Sequence, residues 1–80
     1  MEQKIKQDKD GNIGRNIRKI RLSKKIGQTQ LVHSLQLRVV SMTRETLVKI
    51  ERGKQHIQIQ QLKAIKDELG TTYDELLSDS

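Results

Sequence analysis

Eighty residues, 32% of them hydrophobic, allow one domain with one small core, and with Tyr73 as the single aromatic that core must be built from Leu, Ile and Val. The absence of cysteine removes disulfides and thiolate zinc or redox sites and fits a reducing cytoplasm. The net charge of +6 hides an asymmetry: Asn12 to Lys54 carries eleven Lys/Arg against Glu45 and Glu51, an excess of nine, whereas Asp67 to Ser80 carries five acids and no base. Such a division points to a face for a polyanion, nucleic acid ahead of an anionic membrane, with solubility charge as the plain alternative.

Residues 1–11 are polar apart from Met1 and Ile5 and run into Asp-Gly-Asn (10–12), which predicts a flexible arm; they lack the apolar run of a signal peptide, and no stretch of about 18 apolar residues follows. From Asn12, a candidate N-cap, Ile13, Ile17 and Ile20 recur at helical spacing among Arg15, Arg18, Lys19 and Arg21. Gly27 separates this helix from a second, "QTQLVHSLQL", with Leu31, Val32 and Leu35 as its stripe. "RVVSM" is too short and isolated for a strand in this setting and is read as a loop. Thr43 caps a third helix, about 44–52, which Gly53 stops. A fourth runs near Ile59 to Leu69 with Gly70 as its stop, and Thr72 caps a fifth, Tyr73 to Leu77, with Asp74 and Glu75 in its first turn. Five short helices and no strand predict an all-α domain over 12–80 in which every helix needs the others to cover its stripe.

In the third helix, "TRETLVKIERGK", Leu47 and Ile50 share one face while Arg44, Glu45, Val48 and Lys49 point away from it. Together with "IGRNIRKIR" (13–21), "IGQTQLV" (26–32) and "LKAIKDELGTTYDELL" (62–77), this chain resembles the Cro/C1-type, XRE-like helix-turn-helix domains of phage repressors and bacterial regulators. The resemblance runs in order from Ile13 to Leu77. It departs from the family in "LQLRVVSMT", a turn between the second and third helices that is longer than usual and lacks glycine, and in Gly27, which stands where Ser or Thr often caps the second helix.

The resemblance implies a five-helix, lambda-repressor-like fold and a transcription regulator, bacterial or phage-encoded, that inserts its third helix in the major groove of double-stranded DNA as a homodimer with half-sites about 34 Å apart. It places Thr43, Arg44, Glu45, Val48 and Lys49 toward the bases. Arg44 suits guanine O6/N7, Lys49 can act less specifically, Glu45 can accept from cytosine N4, and Val48 can meet a thymine methyl. Glu45 equally suits a helix start or a pair with Lys49. Gln28 and Lys54 are the leading phosphate candidates, with Arg38, Arg18, Gln55 and His56 behind them. Arg21 and Glu51 are expected to form a partly buried structural ion pair. The expected dimer surface uses Tyr73, Leu76 and Leu77.

No catalytic constellation is present: His33 and His56 stand alone, without carboxylate or thiol at ligand or triad spacing, and "GQTQ" lacks the lysine of a phosphate loop. No metal, cofactor or small-molecule substrate is expected. The lack of stacking aromatics argues against single-stranded RNA, and the isoleucines of the first helix are needed by the core rather than by a membrane. The alternative from another class is a protein-interaction module of the same fold, such as an antitoxin or anti-repressor, which would show an apolar exposed face.

Overall fold

The computed structural model describes residues 4–5 and 12–78. Its elements are β1 (Lys4–Ile5), α1 (Asn12–Ser23), α2 (Gln28–Leu37), α3 (Arg44–Glu51), β2 (Ile57–Gln58), α4 (Ile59–Leu69) and α5 (Tyr73–Leu76). The fold is all-α, but the expectation of no strand is corrected: β1 and β2 pair antiparallel, Lys4 opposite Gln58 and Ile5 opposite Ile57. Two residues leave no alternation to read, and their partner lies far along the chain. The rest of the arm expected over 1–11 falls outside the described residues. Asn12, expected as a cap, is the first helical residue of α1.

Two of the remaining helix starts, those of α3 and α5, follow their sequence signals. Thr43 Oγ1 accepts from the Thr46 N–H at 3.1 Å and Thr72 Oγ1 from the Glu75 N–H at 3.1 Å, each satisfying one amide that its helix leaves without a partner. Gln58 and Gln61 form a reciprocal capping box at the start of α4. Four helix ends close by the same pair of backbone bonds, one spanning five residues and one spanning three, around a left-handed residue. Gly53 (φ 74°) and Gly70 (φ 65°) fill that position after α3 and α4. After α1 and α2 it is filled by Lys25 (φ 59°) and Val39 (φ 62°). The turn between α2 and α3 therefore needs the backbone conformation that glycine usually provides and makes a β-branched residue adopt it.

The core is aliphatic, as the composition requires. Ile13, Ile17, Leu31, Leu35, Leu47, Ile50, Ile57, Leu62, Ile65, Leu69 and Leu76 meet inside it, each such burial contributing about 1.5–3 kcal/mol. Met42 is buried and Val40 partly so, which pins the long turn to the core at two points. α1 packs on α3 and α5, and α2 packs on α3 and α4. The approach of α1 to α3 is set by Gly14: a Cβ there would fall 1.8 Å from the backbone oxygen of Ile50, so only a hydrogen fits between the two backbones. Buried Asn16 donates its amide to the carbonyls of Leu76 and Ser78, both at 2.8 Å, and fastens the end of α5 to the middle of α1.

Two acids of the C-terminal part are held by neighbours close in sequence. Lys66 pairs with Asp67 at 3.0 Å and lies 5.0 Å from the centroid of the Tyr73 ring. Its hydrogen bond to Asp67 raises the Lys66 pKa and lowers that of Asp67. Glu75 accepts from the Thr71 hydroxyl at 2.8 Å, the main reason that its carboxyl titrates below the usual range.

Candidate nucleic-acid interface

Three helices meet at one carboxylate. Arg21, near the end of α1, donates through Nε to Glu51 Oε2 at 2.8 Å and through Nη2 to Glu51 Oε1 at 3.0 Å, while its Nη1 reaches the Ile26 carbonyl at 2.8 Å. Gln28, the first residue of α2, donates its amide to the same Glu51 Oε1 at 3.0 Å. Arg21 and Glu51 are both buried, and the fork geometry satisfies both carboxylate oxygens. The last residue of α3 is thus tied to α1, to the segment before α2, and to the start of α2.

Above this junction opens a concavity of about 680 Å³ lined by Arg18, Arg21, Gln28, Arg44, Glu45, Val48, Lys49, Glu51 and Arg52. With Arg21 and Glu51 cancelling each other, its remaining charge is four cations against Glu45. Arg44, Glu45 and Lys49 are exposed along α3, and Val48 is half-buried between them rather than fully exposed as expected. The surface joins guanidinium forks, a point charge, a carboxylate acceptor and an apolar step on one short helix. Those are groups able to read base edges, with cations from two further segments able to meet phosphates.

The sequence candidates divide under this geometry. Arg44, Glu45, Val48, Lys49, Gln28 and Arg18 line the concavity together. Thr43 sits at its helix end but commits its hydroxyl inside the chain, accepting from the Thr46 N–H and donating to Thr46 Oγ1 at 3.0 Å. Lys54, Gln55 and His56 lie exposed in the segment after α3 and outside the concavity. Arg38, the phosphate candidate in the long turn, lies outside the concavity and pairs with Glu68 of α4 at 2.9 Å. Gln28 lines the concavity and at the same time donates one amide N–H to Glu51. Arg52, at the C-terminal cap of α3, lines the concavity and was missed; "ERGK" reads as a stop signal and hides the cation within it.

Leu76 is wholly buried, which removes it from the expected dimer surface and leaves Tyr73 and Leu77 exposed there. A five-residue helix written Tyr-Asp-Glu-Leu-Leu gives too little periodicity to tell which leucine faces inward.

The fold has a solved counterpart. It is similar to the crystal structure of the SHP pheromone receptor Rgg2 of Streptococcus dysgalactiae, with a TM-score of 0.68 and 24% sequence identity over 85% of this chain and 23% of that chain. The chain therefore spans less than a quarter of the receptor's length, and at this identity the likeness is one of fold. No protein-family model matches the sequence, and no curated protein does. Among the described residues no helix is long and apolar enough to cross a membrane, and no group of three or more His, Asp or Glu is placed to hold a metal ion.

Proposed function

We propose that this chain is a DNA-binding transcription regulator of the Cro/C1, XRE-like type, reading double-stranded DNA with α3 in the major groove. The observation that carries the reading is the cationic concavity along the exposed face of α3, where Arg44, Glu45, Val48 and Lys49 stand beside Arg18 and Arg52. Arg44 pairs with guanine, Lys49 contacts a base or phosphate, and Arg18, Arg52, Lys54 and Gln55 meet phosphates together with the backbone amides at the start of α2. A dimer reads two half-sites about 34 Å apart, using the corner of the fold that carries Tyr73 and Leu77.

Selection of bound duplexes from a random-sequence library at near-physiological salt tests this. Enrichment of an inverted repeat is the expected result. Salt-sensitive binding without any sequence preference, or no binding, refutes it.

One observation favours a second reading, a protein-interaction module on the same fold. Leu37 is 74% exposed and Val39 93% exposed at the tip of the α2–α3 turn, an apolar projection with no use in the DNA reading. A protein captured by the wild-type chain and lost with Leu37→Ser/Val39→Ser would support it.

A further inference from the structure

We propose that Gln28 fixes the angle between α2 and α3, and thereby sets how sharply α3 discriminates between bases. The second half of this statement rests on the DNA-binding reading above; the first half does not.

The α2–α3 contact is mostly apolar, with Leu31, Leu35, Leu47 and Ile50 wholly buried. Apolar burial is non-directional as a driving force, so it specifies an angle less sharply than a hydrogen bond does. The connection from Arg38 to Thr43 is anchored to the core by Met42 and Val40, which holds the turn and leaves the angle between the helices to the α2–α3 contact itself. Among the described residues, the Gln28 to Glu51 bond is the sole side-chain hydrogen bond joining α2 to α3.

Arg21 grips Glu51 through two nitrogens and makes it a pivot point anchored to α1. A pivot leaves a swing free. Gln28, bonded to the same carboxylate from the side of α2, is the group placed to stop that swing, since a hydrogen bond weakens steeply with misalignment. Glu51 lies at one end of α3 and Arg44 at the other, about 10 Å apart along the axis. A swing of roughly 6° about Glu51 therefore carries Arg44 about 1 Å, beyond the ~0.5 Å within which such a constellation works. Phosphate contacts tolerate that displacement better than a bidentate base pair does. Loss of the Gln28 bond thus acts on discrimination, whereas a Gln28 serving only as a phosphate ligand would weaken all sequences alike.

The test compares the wild type with Gln28→Met, which keeps the length and removes the donor, and Gln28→Lys, which restores a donor within reach of Glu51. Each is put through the random-duplex selection and titrated against the selected site and its single-base variants. Residual dipolar couplings of the α2 and α3 amides report the interhelical angle without DNA. The expected result is a changed angle in Gln28→Met, with roughly tenfold loss of discrimination at the positions read by the Arg44 end, larger than any loss of affinity for non-specific duplex. Gln28→Lys recovers both. Equal weakening of every duplex by Gln28→Met, or an unchanged angle, overturns the proposal. If the wild type itself selects no sequence, the DNA-binding reading falls, and the couplings alone decide whether Gln28 sets the angle.

Discussion

Replacing Glu51 by Ala removes the acceptor of three hydrogen bonds at once: two from Arg21, at 2.8 and 3.0 Å, and one from Gln28 at 3.0 Å. Arg21 is left buried as a cation, with only the Ile26 carbonyl as a partner. Breaking a buried pair from one side costs about 3–5 kcal/mol, because the surviving charge keeps its desolvation penalty and loses its compensation. For a domain of this size each kcal/mol moves the melting temperature by about 4–8 °C, so a drop of at least 12 °C is expected. Glu45→Ala, on the exposed face of the same helix, serves as the control and stays within about 0.5 kcal/mol. Arg21→Met/Glu51→Leu removes both charges and recovers most of the loss, since no buried charge is stranded and only the Gln28 amide and the Ile26 carbonyl lose a partner. Thermal unfolding by circular dichroism measures all three. If Glu51→Ala melts with the control, the ion pair is not structural and the account of the three-helix junction is wrong.

Gly14→Ala should destabilise the domain by more than the ~1–3 kcal/mol of ordinary overpacking, since its Cβ meets the backbone of Ile50, and not a side chain able to move aside; helix propensity alone predicts a gain of about 1 kcal/mol, so the sign of the melting shift decides. Val39→Gly should raise stability by roughly 0.5–1 kcal/mol, relief of the left-handed strain partly offset by a freer unfolded chain, and denaturant titration would expose the idea as wrong by a lower midpoint. Arg44→Ala should relax base preference, whereas Lys54→Ala should weaken all duplexes about equally and flatten the salt dependence by roughly one phosphate contact; competition titrations at several salt concentrations separate the two. Glu75 has a lowered pKa, so its contribution is present above the ordinary glutamate range and is lost as pH falls through the folded value. Melting followed down through about pH 5 to 3 should show this acid loss, reduced in Glu75→Gln and in Thr71→Val; identical pH curves for wild type and variants would contradict it.

The helices were legible because their ends are written locally. Thr43, Thr72, Gly53 and Gly70 carry caps and stops whose chemistry acts within a few residues, and the isoleucine and leucine stripes give the helical period. The ingredients of the cationic face were equally visible in "TRETLVKIERGK". What escaped depends on distance along the chain. Gly14 is needed because α3 arrives against it, the β1 strand because β2 does, and Gln28 turns inward because Glu51 is there to accept from it. Val39 shows a different limit: the absence of glycine from the turn was plain, but the turn kept the glycine conformation and loaded it onto another residue. Arg38 looked like one more base in a basic stretch until the fold set it beside Glu68.

Tyr73 is the only chromophore of the near ultraviolet that the protein possesses, and it sits beneath Lys66 at the corner of α4 and α5, outside the concavity along α3. Its emission is thus a reporter of that corner alone. Once absorption by an added duplex is corrected for, binding in the concavity leaves the signal still, and a change on adding a ligand points to a shift of α5 or to a second molecule covering the ring.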